Sequence, residues 1–252
     1  MLPDYNTRFE IKFDASHISQ AFRVQKSTLP AVIAGLLNIP QPVPAIFLTG
    51  GAGSMSPEDI ERTREIIEML AHFAVEHHVV IIDGGTTSGI MEMIGAARGK
   101  YNLKFPLIGI APLKKIAFPG YTNPDSEAEL DKNHTHFILI DAETWGDESE
   151  MILGLTGVIS GSGKQPALGI LINGGMIARQ EVYLAATKEF RLPMIILEGS
   201  GRAADEIATA FKTGRANQRI LQAILAGGDI QLVNTVEGAD AMRNKLLTRF
   251  TR

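Results

Sequence analysis

Seven short apolar runs, separated by helical patterns, constrain the fold of this 252-residue chain more than any other feature of its sequence. The runs are AIFLT (45–49), VVIID (79–83), PLIGIA (106–111), HFILID (136–141), ALGILI (167–172), PMIILE (193–198) and IQLVN (230–234). Most are apolar throughout rather than alternating, which is typical of strands covered on both faces. The pattern predicts an α/β protein with a doubly wound, mostly parallel, Rossmann-like sheet flanked by helices.

Helical patterns fill the segments between the runs. Ser56-Pro57-Glu58-Asp59 has the hydroxyl cap, proline and acids that favour a helix start. Further helices are predicted after the glycines at 84–89 and at about 149–160, 177–190, 202–213, 217–226 and 236–248. We expect a single domain over 1–252, with 1–44 as an N-terminal extension packed on it. The connection 112–135 has the weakest pattern, and loops of that length are usually functional or mobile.

Composition narrows the class of protein. The net charge of -4 and the pI near 5.9 argue against a nucleic-acid or membrane partner, because both favour a basic face. The absence of cysteine excludes disulfides, thiolate metal sites and cysteine nucleophiles. No run approaches the roughly 18 apolar residues of a membrane span, and the N-terminus lacks a signal-peptide core. We therefore expect a cytoplasmic protein, and a homo-oligomer stays open.

Glycine-containing turns follow four of the predicted strands. They read GGAGS after 45–49, GGTTSG after 79–83, NGG after 167–172 and GSGR after 193–198. In a parallel sheet such turns meet at the carboxyl edge, where ligands bind at the point of strand-order reversal. Glycine lets the backbone approach a ligand, and helix N-termini attract anions. A single turn is equally well explained as a tight connection, but four at one edge favour a phosphate site.

Several common site motifs are missing. The chain has no G-x-x-x-x-G-K-[ST], its GAGSMS lacks the last glycine of G-x-G-x-x-G, and it has no G-x-S-x-G. The sequence therefore does not support a nucleotide-hydrolysing motor, an ordinary nicotinamide dehydrogenase or a serine hydrolase.

Three polar features are candidate site residues. Arg202 lies in the first turn of a helix, where the dipole disfavours a cation, so it either binds a phosphate or pairs with an acid such as Asp205. Two histidines at i and i+2 in Asn133-His134-Thr135-His136 make a poor zinc signal, and we expect no metal. One histidine should be buried and the other should face the ligand edge. Glu92 and Glu181 either contact a ribose, act as acid or base, or are solvated.

Four blocks of the sequence form a specific combination: FLTGGAG, DGGTTSGIMEMIGAARG followed by PLIGIAP, LDKNHTHFILID, and GSGRAADEIA. These blocks resemble the SLOG superfamily of Rossmann-like nucleotide-binding domains. Within that superfamily they are similar to the LSDAT group, which includes prokaryotic stand-alone proteins and the N-terminal sensor region of TRPM channels. Together they span about residues 45–208.

The resemblance implies a sensor module that binds ADP-ribose, a cyclic relative or NAD across the four turns. Phosphates would lie on the glycine turns with Arg202 as a charged clamp, and Asn133 or His134 would close one side. No cofactor is identified beyond this nucleotide-type ligand. The predicted ligand-binding residues are Gly50, Gly51, Ala52, Gly53, Ser54, Gly84, Gly85, Thr86, Thr87, Ser88, Gly89, Pro112, Asn133, His134, Asn173, Gly174, Gly175, Glu181, Gly199, Ser200, Gly201 and Arg202.

The same superfamily contains the LOG phosphoribohydrolases, with the signature P-G-G-x-G-T-x-x-E and an earlier M-x-x-R-K block. NGGMIARQE keeps Gly174, Gly175 and Glu181 but lacks the proline and the internal Gly-Thr, and AETWGDESEM contains no M-x-x-R-K. The alternative is therefore an N-glycosidase in which Glu181 holds the ribose or stabilises positive charge. Whether the protein is an enzyme stays open, and a purely structural subunit is a third hypothesis.

Overall fold

A computed structural model describes residues 2–250; Met1, Thr251 and Arg252 lie outside the described residues. Its strands are β1 (Arg8–Lys12), β2 (Ile18–Gln25), β3 (Ala45–Gly50), β4 (Val80–Asp83), β5 (Leu107–Pro112), β6 (Ile116–Ala117), β7 (Ala128–Glu129), β8 (His136–Asp141), β9 (Ala167–Ile172), β10 (Met194–Glu198) and β11 (Ile230–Asn234). Its helices are α1 (Pro30–Leu36), α2 (Pro57–Glu76), α3 (Gly89–Lys100), α4 (Ser149–Ile159), α5 (Met176–Ala186), α6 (Arg202–Thr213), α7 (Arg219–Gly227) and α8 (Gly238–Phe250). The seven predicted strands are confirmed.

Nine of the strands form one sheet in the order β1-β2-β8-β5-β4-β3-β9-β10-β11. Only β1 and β2 pair antiparallel; every other neighbouring pair is parallel. From β3 the chain builds outward through β4, β5 and β8, and it then returns to add β9, β10 and β11 on the other side. Strand order thus reverses between β3 and β9.

Helices cover both faces of this sheet. The side chains of α1, α4, α5, α6 and α7 pack with one set of strand residues, and those of α2, α3 and α8 pack with the alternate set. Phe47 faces the first layer and Ile46 faces the second, and both are fully buried. Burial on both faces explains why the strands are continuously apolar. The prediction of a doubly wound, mostly parallel α/β fold is confirmed.

The N-terminal residues take part in the sheet itself. β1 and β2 form an antiparallel pair, and β2 lies parallel to β8 at one end of the sheet. Helix α1 packs against α4. The segment 2–44 therefore extends the sheet and adds one helix to a covering layer.

The connection 112–135 has its own structure. It contains a short 3₁₀ turn at 113–115 and the two-stranded pair of β6 and β7. Leu113, Ile116 and Leu130 are buried against Phe137 and Leu139 of β8. The amide of Asp131 donates to the carbonyl of Gly85 at 2.9 Å, so the end of this segment is tied to the turn after β4.

Candidate functional site

The carboxyl ends of β3 and β9 lie side by side at the point where strand order reverses. Gly50 ends β3 with φ +134°, and a Cβ there would lie 1.8 Å from the carbonyl oxygen of Ile172 in β9. Only glycine allows this approach. The amide of Gly51 donates to the same carbonyl at 3.1 Å. The turn that follows β3 is therefore held directly against the turn that follows β9.

Asn173 braces three of the four glycine turns. Its buried side-chain amide donates to the carbonyl of Ser200 at 2.6 Å and to that of Gly53 at 3.2 Å. Its backbone amide donates to the Ser200 hydroxyl oxygen at 2.7 Å, and its own side-chain oxygen accepts from the amide of Gly174. The polar groups of Asn173 and Ser200 thus form hydrogen bonds with neighbouring turns, and these bonds fix the shape of the carboxyl edge of the sheet.

Arg202 lies over this edge. It has φ +51°, a backbone conformation that residues other than glycine rarely adopt. A Cβ on Gly53 would lie 3.0 Å from one guanidinium nitrogen, and a Cβ on Gly175 would lie 2.9 Å from another. The guanidinium therefore lies against two glycine turns at once.

The alternative of an ion pair with Asp205 is not what the structure shows. The Asp205 carboxylate accepts a hydrogen bond from the amide of Gly199 at 2.6 Å. Among residues 2–250, no carboxylate forms an ion pair with Arg202. An exposed guanidinium held over two glycine turns is free to bind an anion.

A cavity of about 360 Å³ opens beside Arg202. It is bounded by the ends of β3 and β4, by the segment leading into α4, and by the first turns of α5. Six predicted ligand-binding residues line it: Gly50, Gly84, Thr86, Gly175, Glu181 and Arg202. It is also lined by Leu48, Thr49, Met91, Trp145, Glu148, Ile152, Met176, Ile177 and Ala178.

Two buried carboxylic acids lie in the wall of this cavity. Glu181 in α5 is 4% exposed and accepts hydrogen bonds from the hydroxyls of Thr49 and Ser149, the latter at 2.8 Å. Glu148 precedes α4, is 5% exposed, and accepts from the amide of Gly146 at 2.8 Å. Burial raises the pKa of Glu181, and burial assisted by the nearby Glu181 carboxylate raises the pKa of Glu148 to about 7.

An indole ring forms part of the same wall. Trp145 is partly exposed, and its Nε1–H donates to Glu127 at 2.7 Å. Glu127 also pairs with Lys115, so the ordered connection 112–135 holds the ring in place. A ring fixed at one edge and open on a cavity can contact a planar group of a ligand.

The GGTTSG turn contributes less directly than we expected. Gly84 and Thr86 line the cavity, but the amide and hydroxyl of Thr87 both donate to the carbonyl of Glu129, at 2.9 and 3.3 Å. A Cβ on Gly89 would lie 3.0 Å from the amide of Ala52. The start of α3 therefore supports the GGAGS turn from behind.

His134 lies outside the cavity wall, buried between two carboxylates. Its Nδ1 lies 2.8 Å from Asp131 and its Nε2 lies 2.9 Å from Asp83. Burial disfavours the imidazolium, but Asp83 and Asp131 outweigh it and raise the pKa of His134 to about 9. Asn133 faces the last turns of α3, where a Cβ on Gly99 would lie 2.5 Å from its side-chain oxygen.

The remaining predicted residues do not line the cavity of about 360 Å³. Gly174 lies with Gly175 and Arg202 in a smaller adjoining cavity of about 210 Å³. The others in this group are Gly51, Ala52, Gly53, Ser54, Gly85, Ser88, Pro112, Gly199 and Gly201. Glu92 of α3 is exposed to solvent.

Sequence reasoning missed Thr49, Trp145 and Glu148. The segment AETWGDESEM was considered only because it lacks the M-x-x-R-K motif. It nevertheless places the indole of Trp145 and the carboxylate of Glu148 directly after β8. Their position beyond the carboxyl end of a strand was the available signal. Thr49 carried no such signal, because the role of its hydroxyl depends on a hydrogen bond to Glu181, which is distant in the sequence.

A larger cavity of about 700 Å³ lies between the segment 26–31 and α4. It is bounded by none of the four glycine turns, and its Lys26 is already paired with Asp147. Within residues 2–250, no group of three or more histidine and carboxylate side chains is arranged to hold a metal ion. None of the helices described is long and apolar enough to cross a membrane.

Comparison with known families gives one match that covers most of the chain. A family profile described as SLOG in TRPM, prokaryote, matches residues 43–243. This range includes β3 to β11 and every residue that lines the cavity of about 360 Å³.

The curated relatives are long ion channels. Transient receptor potential cation channel subfamily M member 2 of Rattus norvegicus is 29% identical over 230 residues, covering 76% of this chain and 15% of the channel. A transient receptor potential channel of Caenorhabditis elegans is 26% identical over 270 residues, covering 92% of this chain and 13% of the channel. Subfamily M member 7 of Homo sapiens is 26% identical over 229 residues, covering 78% of this chain and 12% of the channel. The chain thus spans a small fraction of these relatives.

Proposed function

The chain belongs to the family described as SLOG in TRPM, prokaryote, and on that premise we propose that it binds a nucleotide-derived ligand as a sensor module. The ligand is ADP-ribose, a cyclic relative or NAD, and it occupies the cavity beside Arg202. Membership of the family supports a nucleotide-related signalling module. The choice of ligand and of site is the proposal.

The arrangement of Arg202 carries this proposal. Its guanidinium lies against Gly53 and Gly175, forms no ion pair within residues 2–250, and lines the cavity. Gly175 is also the residue that precedes α5, whose first amides have no partner within the helix. A guanidinium and a helix N-terminus at one point make a site for a phosphate.

The rest of the cavity suits the sugar and base of a nucleotide. Glu181 lies six residues beyond Gly175 along α5, about 9 Å at the helical rise of 1.5 Å per residue. Its carboxylate can accept hydrogen bonds from ribose hydroxyls. The side chains of Trp145, Ile152 and Met91 give the apolar surface that a planar base requires.

Thermal unfolding with added nucleotides tests the proposal. A ligand that binds only the folded chain raises the melting temperature. We expect ADP-ribose to do so, and Arg202→Ala should weaken binding by about 1.5–3 kcal/mol because a charged hydrogen bond is lost. Arg64→Ala, on the exposed face of α2, is the matched control and should bind normally. No shift with any adenine nucleotide at millimolar concentration would count against the proposal.

The carboxylic acids favour a second candidate, cleavage of an N-glycosidic bond. Glu181 and Glu148 lie in one cavity with raised pKa values, which is the environment of general acids and of groups that stabilise a developing cation. Incubation with AMP, NAD or ADP-ribose should then release a free base or a ribose phosphate. Glu181→Gln should abolish the product, whereas Glu92→Gln, in an exposed position, should not. Absence of product from the wild-type chain rejects this candidate and leaves binding untouched.

A further inference from the structure

One end of the cavity favours a negatively charged group and the other end favours a positively charged group. From this we infer that its ligand carries a positive charge one sugar away from a phosphate. The ligand class is a pyridinium nucleotide, of which NAD⁺ is an example, rather than ADP-ribose or NADH. This inference rests on the proposed function and names the ligand within it.

One end of the cavity attracts an anion. Arg202 and the N-terminus of α5 meet there, because Gly175 lies against the Arg202 guanidinium and directly precedes α5. The adjoining cavity of about 210 Å³ extends from the same point and is lined by Arg179, which is paired with Glu206 at 3.1 Å. Arg202 is therefore the cation available to an anion at this end.

The other end contains carboxylates without a counter-charge. Within residues 2–250, no lysine, arginine or histidine forms an ion pair with Glu148 or Glu181. Their hydrogen-bond donors are neutral: the hydroxyls of Thr49 and Ser149 and the amide of Gly146. Buried carboxylates are ordinarily paired with a cation, because burial removes the water that stabilises their charge. A cationic ligand group would supply what the chain itself does not.

The spacing of the two ends fits a nucleotide. Gly175 and Glu181 are about 9 Å apart along α5. A single pentose separates the 5′-phosphate of a pyridine nucleotide from its glycosidic nitrogen. With the phosphate at Arg202, the ribose follows the first turns of α5 and the ring nitrogen comes to the carboxylates.

An aromatic side chain in the same wall as the carboxylates suits a flat cationic ring. Trp145 borders the cavity beside Glu148, and Glu127 fixes the edge of its ring. An indole face attracts a cation, and a pyridinium ring can lie against it. Ile152 and Ile177 complete an apolar surface.

Calorimetric titration at pH 8 with NAD⁺, NADH and ADP-ribose tests the inference. NAD⁺ and NADH have nearly the same size and the same phosphates, but only NAD⁺ carries the ring charge. We expect NAD⁺ to bind about tenfold more tightly than NADH and more tightly than ADP-ribose. Glu148→Gln should reduce the preference for NAD⁺ over NADH to about twofold, because it removes one carboxylate charge at constant shape. Glu150→Gln, exposed on the first turn of α4, should keep the full preference.

The outcomes separate this inference from the proposed function. Equal affinities for NAD⁺ and NADH in the wild-type chain, or tighter binding of ADP-ribose than of NAD⁺, would overturn the inference and retain a nucleotide site. Absence of binding by all three compounds would overturn both. The comparison of ligands in the wild-type chain holds even if a variant fails to fold.

Discussion

Two clusters of buried titratable side chains lie near the carboxyl ends of the central strands, and they are built in opposite ways. In the first, His134 lies between Asp83 and Asp131, at 2.9 and 2.8 Å. In the second, Glu148 and Glu181 line a cavity and have only neutral hydrogen-bond donors. The first cluster contains its own counter-charge, and the second does not.

This contrast distinguishes a cluster that stabilises the fold from one that belongs to a candidate site. The His134 cluster joins the segment before β8 to the end of β4 and is closed to solvent, so its charges stabilise the fold. Burial without a counter-charge raises the pKa of both Glu148 and Glu181, and such raised pKa values are concentrated at functional sites. The resemblance to a nucleotide-binding family placed His134 and Glu181 in one ligand site, whereas the geometry puts them in different clusters.

The largest expected effect on stability comes from removing the cation of the cluster formed by His134, Asp83 and Asp131. His134→Ala leaves two buried carboxylates without a cation and should lower the free energy of unfolding by about 3–5 kcal/mol. Chemical denaturation at pH 7 measures this change. His17→Ala is the control, because His17 pairs with Asp14 at the surface and should cost below about 1 kcal/mol. Equal effects of the two substitutions would contradict the structural role of His134.

Glu148→Gln should change stability in a pH-dependent way. The pKa of Glu148 is about 7 in the folded chain against an ordinary value of 4.5, so the folded state holds a proton that the unfolded state has released. The wild-type chain therefore loses stability as pH rises from 4.5 through 7. The amide does not titrate, so the variant should gain about 3 kcal/mol relative to wild type between pH 4.5 and pH 8.

Denaturation at several pH values gives this difference directly. Glu150→Gln, in an exposed position, should follow the wild-type curve. The wild-type chain should also weaken as pH rises through 9, because the stability from imidazolium pairing at His134 is full below pH 6.5 and is lost as the pH passes the folded pKa. A Glu148→Gln curve parallel to wild type would contradict burial of an unpaired carboxyl.

A pair of helical glycines tests the packing behind the first cluster. A Cβ on Gly95 of α3 would lie 2.1 Å from an Asp131 carboxylate oxygen, whereas nothing lies within 4 Å of a Cβ on Gly157 of α4. Gly95→Ala should destabilise by about 1–3 kcal/mol, since the helix must move. Gly157→Ala should stabilise by about 0.5–1 kcal/mol, since alanine favours the helix. Thermal unfolding distinguishes the signs, and a stabilising Gly95→Ala would show that α3 tolerates a side chain there.

Arg202→Gly should have a small effect on stability, and it should change stability and nucleotide binding in opposite directions. Arg202 has φ +51°, which glycine adopts without strain. Arg202→Gly should raise the free energy of unfolding by about 0.5–1 kcal/mol and weaken nucleotide binding at least tenfold. Denaturation and calorimetry on the same sample measure both changes. A loss of stability with unchanged affinity would assign Arg202 to the scaffold.

The fold was readable from the sequence because its strands are buried on both faces. Runs such as HFILID at 136–141 and IQLVN at 230–234 gave the strand limits to within a residue. β2 was not recognised, because its buried and partly exposed positions do not form one continuous apolar run. Glycines at strand ends pointed to the carboxyl edge of the sheet, since every parallel strand presents its carboxyl end there.

The composition of the site was less readable. Asn173 and Ser200 look like ligand-binding residues in sequence, but their polar groups join turns that are 27 or more residues apart. Glu148 becomes significant only beside Glu181, which is 33 positions away and on another helix. Such roles depend on tertiary contacts, and a local pattern contains no information about them.

The most direct test of the account is a crystal structure of the chain with a bound nucleotide. We expect phosphate oxygens within hydrogen-bond distance of the Arg202 guanidinium and of the amides that begin α5, with the sugar directed toward Glu181. A nucleotide found instead between the segment 26–31 and α4, with Arg202 free of it, would contradict the central claim.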